Sequence, residues 1–378
     1  MRYIEPFVIN DLQKKMVLIG GPRQCGKTTL SKEILGKFPY KSDCVGKYLL
    51  WDDDEDRAYT MKKAWPSNVQ LVVLDELHKF KRWRNWLKGT FDKQRLERSF
   101  LVTGSARLDL YRRGGDSLLG RYHYWRLHPF SLSEIPDGIS KTDALDRLLK
   151  VGGFPEPFLQ NDPIEAKRWR RERLDRVLRE DVRELEAIQD LSSLRLLVDA
   201  LRGRVGSSVV ASNIAGDLQV APQTVTRWLG ILSAMYVCFP VYPVSRNMPR
   251  AIQRPPKVYF YDNADVQGDD GAVYENLVAT HLLKRLHYLE DRYGTHYELG
   301  YIRDKEKREV DFVIIKDGKI DELVEAKVSD RNPTTSLKYY TKLLKPRRSV
   351  QIVLNLKEPM LNSGIEIVPV LDELTRLD

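Results

Sequence analysis

The stretch Gly21-Pro22-Arg23-Gln24-Cys25-Gly26-Lys27-Thr28-Thr29 lies directly behind the apolar run Met16-Val17-Leu18-Ile19, and it limits the possible folds more than any other part of the chain. A Gly-x-x-x-x-Gly-Lys-Thr segment between a buried strand and a helix has the pattern of a phosphate-binding loop. Its glycines let the backbone curl so that successive N–H groups converge on a phosphate. Lys27 brings a positive charge toward the β- and γ-phosphates, and the Thr28 hydroxyl can ligate Mg2+. Residues Gly21 to Thr29 are therefore the expected contacts for ATP, with a helix over Thr29 to Lys37. Strands and helices alternating in this way build a parallel α/β sheet.

A second element supports this reading. Val69 to Leu74 is an apolar strand that ends in Asp75-Glu76, about fifty residues beyond the loop. In a phosphate-loop ATPase site Asp75 would hold Mg2+ through water, and Glu76 would polarise the attacking water. The alternative is an acidic helix start after a core strand. A third strand, Phe100 to Thr103, leads into Gly104-Ser105, and Ser105 is the candidate for orienting that water or sensing the γ-phosphate. Arg121 is a candidate arginine finger for a neighbouring subunit; a surface salt bridge would explain it equally well.

The 378 residues allow two or three domains, each able to bury a core. The net charge of +9 permits a polyanionic partner such as DNA without requiring one. Cys25, Cys44 and Cys238 show no metal-ligand spacing and suit a reducing cytosol. Met1 to Pro6 has no signal-peptide core, and the apolar stretch from Ile231 to Val244 is too short to cross a bilayer. The expectation is a cytoplasmic protein with no membrane partner.

Three regions follow from the changing pattern: an ATPase domain at 1–135, a helical lid with a winged-helix segment at 136–250, and a further α/β domain at 251–378. Within the first, Lys79 to Arg98 is basic and carries Trp83 and Trp86. It reads as an amphipathic helix with Trp83, Trp86 and Leu87 on the sheet, although basic and aromatic residues interleaved could also bind nucleic acid. Arginines between Ala166 and Asp190 are nearly balanced by acidic residues, as on an ion-paired helix. Ala211 to Leu218 and a helix starting at Pro222 resemble a winged helix, with Gln223, Thr224 and Arg227 on its recognition face. Such modules also serve as lids or docking surfaces.

The last region carries a second candidate site. A helix from Gly271 to Tyr288 precedes strands at His296 to Ile302, Glu309 to Ile315 and Lys319 to Val328. Asp311 on one strand and Glu325-Ala326-Lys327 on its neighbour resemble the PD-(D/E)xK nuclease arrangement, in which carboxylates bind Mg2+ and the lysine steadies the attacking hydroxide. Glu325 and Lys327 share a strand face, and Asp311 joins them only if the turn has the right parity. A Lys316-Asp317-Gly318 loop pairing Ile315 with Lys319 satisfies this. It leaves Asp311 diagonal to Glu325 and gathers Val310, Phe312, Ile314, Val324, Ala326 and Val328 on the other face. Glu275 lies on the apolar stripe of its helix, where a carboxylate needs a cation or a cap, so it completes a metal set of Glu275, Asp311 and Glu325.

Gly-Pro-Arg-Gln-x-Gly-Lys-Thr-Thr-Leu at 21–30, Leu-Asp-Glu at 74–76, Thr-Gly-Ser at 103–105 and Gly-Arg at 120–121 together resemble the archaeal and bacterial AAA-family ATPases that carry a C-terminal domain of unknown function. Pro129 to Glu134, Gly152 to Glu156, Tyr274-Glu275-Asn276 and Glu309 to Phe312 extend that resemblance over almost the whole chain. It implies an AAA+ core able to form a homo-oligomer, a winged-helix segment and a restriction-endonuclease-like terminal domain. Cys25 departs from the valine usual there. Two functions follow. In the first, ATP turnover controls a Mg2+-dependent nuclease acting on DNA. In the second, the protein is an ATP-dependent switch whose terminal domain only binds DNA or a protein, its carboxylates held in ion pairs. A protein-remodelling ATPase is a third, for which no aromatic pore loop stands out.

Overall fold

The segments Met16–Gly20 and Val69–Asp75 are apolar at nearly every position, as required when helices cover both faces of a sheet. The computed structural model describes residues 2–63, 65–104, 118–182, 190–244 and 254–377. It comprises two compact units, residues 1–129 and 130–378.

The first unit holds a five-stranded sheet of β1 (Met16–Gly20), β2 (Val45–Leu50), β3 (Val69–Asp75), β4 (Ser99–Thr103) and β5 (Tyr122–Arg126). Its order is β2-β3-β4-β1-β5 and every neighbouring pair is parallel. With β4 between β1 and β3, the C-terminal ends of these three strands stand side by side at Gly20, Thr103 and Asp75. Helices α1 (Glu5–Leu12), α2 (Lys27–Lys37), α3 (Asp54–Lys62) and α4 (Trp83–Gln94) complete the unit. Helix α2 starts two residues earlier than expected, because Gly26 turns the chain at φ +95°. Helix α4 buries Trp83, Leu87 and Phe91, with Trp86 packed beside them, while Lys81, Arg82, Lys93 and Arg95 are exposed. Its tryptophans therefore belong to the core.

The second unit is built on a mixed eight-stranded sheet, ordered β12-β13-β11-β10-β9-β8-β6-β7. The strands are β6 (Cys238–Pro243), β7 (Lys257–Phe260), β8 (Tyr297–Arg303), β9 (Glu309–Lys316), β10 (Lys319–Lys327), β11 (Arg348–Val353), β12 (Met360–Asn362) and β13 (Ile365–Pro369). Helices Ala211–Leu218 and Pro222–Ala234 flank a turn in which Gln219 takes φ +55°, and Gln223 and Arg227 lie exposed on the second of them. The long helix Asp270–Tyr293 carries Glu275, and Thr335–Leu344 lies between β10 and β11.

The β9–β10 turn differs from the three-residue loop expected. Lys316 pairs with Lys319, so the turn is the two-residue Asp317-Gly318, with φ of +48° and +76°. Left-handed angles at both positions suit the twist of a hairpin. The register then slips between Ile320 and Glu322, and this one-residue bulge restores the parity that the tight turn removed. Val324 pairs with Phe312, which brings Asp311 level with Glu325, directly opposite it and not diagonal. A second slip, between Gly300 and Ile302 of β8, gives β9 one extra residue near Asp311. Val310 consequently packs with Val313, Leu323 and Leu337, apart from Phe312, whose ring lies 5.4 Å from that of Tyr259. The expected grouping of Val310 with Phe312 fails because sequence alternation does not count bulged residues.

Gly21, at φ +142°, lies so close to Leu127 that a Cβ would stand 2.2 Å from the Leu127 carbonyl oxygen. Gly21→Ala should cost on the order of 2 kcal/mol through strain and backbone displacement. A denaturation midpoint equal to wild type would refute that close approach.

Candidate functional site

In the first unit the phosphate-loop residues meet the acidic end of β3. Lys27 is buried and donates from Nζ to the carbonyl oxygens of Gly21 (3.0 Å) and Pro22 (2.7 Å). Arg2 donates to the Cys25 carbonyl at 2.9 Å and also to that of His128, tying the loop to the start of the chain. Asp75 is buried, and the three side chains that donate to it among the described residues are neutral hydroxyls. Thr28 Oγ1 (2.7 Å) and Tyr48 Oη (2.5 Å) donate to Oδ2, and Thr103 Oγ1 donates to Oδ1. Burial and the Asp75 carboxylate hold the Tyr48 phenol well above its ordinary range. Glu76 takes a left-handed φ of +59°, and its N–H donates to Thr103 O at 3.1 Å. Burial raises its carboxyl pKa, with Lys27 pulling the other way.

The structure thus brings Lys27, Thr28, Asp75 and Glu76 to one end of the sheet and adds Tyr48, Thr103 and Arg2. Arg121 is elsewhere. It precedes β5, whose first residue pairs with Met16, so it sits at the opposite end of the sheet from the loop. There it donates to Asp92 from Nε at 2.7 Å and from a terminal nitrogen at 3.1 Å. Ser105 lies outside the described residues.

The second unit gathers Glu275, Glu309, Asp311, Glu325 and Lys327, together with a residue the motif does not contain. Lys257, at the start of β7, is 1% exposed, and its Nζ stands 2.6 Å from Glu309, 3.1 Å from Glu275 and 3.8 Å from Asp311. Tyr259 Oη donates to the same Glu275 oxygen at 2.6 Å. Asp311 Oδ2 accepts the Ala326 N–H at 3.0 Å, and Lys327 reaches Glu325 at 2.9 Å and Asp311 at 3.8 Å. Arg303 takes the other oxygen of Glu309 at 3.3 Å. The three carboxylates around Lys257 raise its pKa against the opposing effect of burial. Burial and Asp311 push the Glu325 carboxyl up to about 7. Among the described residues no three His, Cys, Asp or Glu side chains form a set able to hold a metal ion. The expected set of Glu275, Asp311 and Glu325 therefore shares a neighbourhood but is interleaved with ammonium groups. The sequence signal that was overlooked is a lysine opening the otherwise apolar strand Lys257-Val258-Tyr259-Phe260.

Comparison with known proteins finds three family models along the chain. Residues 13–136 match the family described as AAA domain, 142–264 a domain of unknown function (DUF8612), and 270–372 another (DUF4143). The first unit thus carries an AAA-type ATPase domain, which supports ATP binding. Uncharacterized proteins of Mycobacterium bovis and Mycobacterium tuberculosis are each 27% identical over 247 residues, covering 65% of this chain and 54% of theirs. The chain spans about half the length of these relatives. An uncharacterized protein of Methanocaldococcus jannaschii is 24% identical over 368 residues, covering 88% and 80%. Two solved structures are distant likenesses. The Orc1 protein of Aeropyrum pernix in complex with DNA has TM-score 0.34 and 14% identity, over 76% of this chain and 94% of that one. Cdc6p of Pyrobaculum aerophilum has TM-score 0.27 and 12% identity, over 63% and 85%. Among the described residues no helix is long and apolar enough to cross a membrane.

Because the Glu325 pKa is raised from 4.5 to about 7, the folded chain holds that proton more tightly than the unfolded chain. The resulting stabilisation is complete below pH 4.5 and is lost as pH rises through 7. Glu325→Gln should therefore flatten the fall in unfolding free energy between pH 5 and pH 8, by about 1–3 kcal/mol. Parallel curves for variant and wild type would mean that Glu325 is not proton-linked to folding.

Proposed function

We propose that this protein is an ATP-hydrolysing AAA+ switch whose C-terminal domain is a binding module for DNA or a protein. The observation that carries the ATPase reading is the Asp75 carboxylate, held by neutral hydroxyls at the strand end beside the phosphate loop. Gly21 to Thr29 would cradle the phosphates, and Lys27 would leave the loop carbonyls for the β/γ-phosphate oxygens. A hydroxyl and a carboxylate 2.7 Å apart, Thr28 and Asp75, are the oxygen donors that suit Mg2+, which would neutralise phosphate charge when bound. Glu76 is the base that takes the proton of the attacking water, and its raised pKa favours that role. Ser105 is assigned the water-orienting role. Arg121 would serve a neighbouring copy in a homo-oligomer only after leaving Asp92. Gln223, Thr224 and Arg227 offer a winged-helix face for DNA.

A second reading, a Mg2+-dependent nuclease, is favoured by Asp311, Glu325 and Lys327 lying together on adjoining strands. The ion pairs that Lys257 makes favour the binding module instead. Glu76→Gln should slow ATP turnover at least about 100-fold while leaving nucleotide affinity unchanged. Lys27→Ala should lose affinity itself. Turnover retained in both variants would remove the ATPase assignment. For the terminal domain, labelled single- and double-stranded DNA should remain uncut by wild type with Mg2+ or Mn2+, with or without ATP. Cleavage lost in Asp311→Ala would instead establish the nuclease.

A further inference from the structure

A buried ammonium surrounded by carboxylates resembles a metal centre in charge but not in chemistry. Lys257 Nζ stands between Glu275, Glu309 and Asp311, which come from a helix and from β9, while the lysine itself comes from β7. Each of these three carboxylates has at least one oxygen engaged. Glu309 uses one oxygen for Lys257 and the other for Arg303; Glu275 gives one oxygen to both Lys257 and Tyr259; Asp311 accepts the Ala326 N–H. One atom stands apart. Glu325 is 3% exposed, its Oε1 is bound by Lys327, and its Oε2 is buried with no hydrogen-bond partner among the described residues. A buried carboxylate oxygen left unsatisfied is costly and is a strong acceptor for any cation that can reach it.

From these contacts we infer that Lys257 is an internal counter-cation that occupies the place of a divalent metal and closes the C-terminal carboxylate cluster to metal ions. A divalent cation needs several carboxylate oxygens free to approach it to about 2.0–2.6 Å. An ammonium group within hydrogen-bond distance of two of the same carboxylates both repels the ion and ties up its ligands. The unpartnered Glu325 oxygen, on the strand beside Asp311, is the further ligand a cation would use once Lys257 is removed. This inference rests on the ion-paired reading of the terminal domain and is independent of the ATPase assignment.

The test is Mn2+ binding to the full chain without nucleotide, read from the loss of the free-ion EPR signal. Wild type and Lys257→Arg should bind no Mn2+ at a site that Glu325→Gln can remove. Lys257→Met, which keeps length and removes charge, should gain one site with affinity at least tenfold above wild type, and Lys257→Met with Glu325→Gln should lose it again. Lys257→Gln provides a second, polar variant, with folding checked by circular dichroism. A wild-type site abolished by Glu325→Gln would overturn the inference, as would a folded Lys257→Met or Lys257→Gln that gains none. If neither variant folds, the lysine is a structural strut and not a lock, and the inference fails. ATP turnover of each variant separates loss of this idea from loss of the ATPase reading, since Lys257 should leave it unchanged.

Discussion

An ionised group taken out of water costs several kcal/mol unless hydrogen-bonding or oppositely charged partners meet it where it lies. Much of the architecture of both units answers to that requirement. In the first unit Asp75 is buried at the end of a mostly apolar strand and is matched by hydroxyls from α2, β2 and β4. In the second, Lys257 is matched by carboxylates from a helix and β9, and Lys284 by Glu134 deep in the interior. Removing one partner in such a group leaves a charge uncompensated, so these contacts fix where strands end and which registers are allowed.

The sheet order of the first unit is an instance. Asp75 can receive Thr28 and Thr103 together only because β4 separates β3 from β1 and all three strands run the same way. The phosphate loop and the acidic strand end were legible because each is local: an apolar run, a punctuating glycine or carboxylate, and a spacing. Tyr48 was not legible. Nothing in Val45 to Leu50 distinguishes its hydroxyl until β2 is known to pair with β3, which is a property of the packed sheet. Thr103, whose hydroxyl donates to Asp75, was not legible either, because its side chain meets Asp75 only once β4 is known to lie beside β3.

The hairpin of the second unit shows the same division. Period-two alternation put Glu325 and Lys327 on one face, the resemblance to the nuclease arrangement required Asp311 beside them, and the register places it there. It does so by a tight left-handed turn and a compensating bulge, not by a longer loop. Turn and bulge are alternative ways to shift parity by one residue, and sequence alone does not choose between them when Asp-Gly suits either. Lys257 escaped notice for a different reason. It lies about fifty residues before Asp311, on a strand that pairs with β6, so no short motif contains both.

The two sites differ in the chemistry of the partners that satisfy their carboxylates. Hydroxyl donors stabilise a carboxylate and leave its negative charge uncancelled, so a site such as that of Asp75 retains its attraction for a cation arriving with a nucleotide. Ammonium donors at similar distances cancel the charge they bind, and a cluster such as that of Glu275, Glu309 and Asp311 already contains its cation. Geometry that gathers carboxylates is therefore an incomplete signature of a metal centre. Whether the donors facing those carboxylates are neutral or cationic separates a site prepared for an ion from one that has replaced it, and it is the reason identical carboxylate residues are assigned opposite roles in the two halves of this chain.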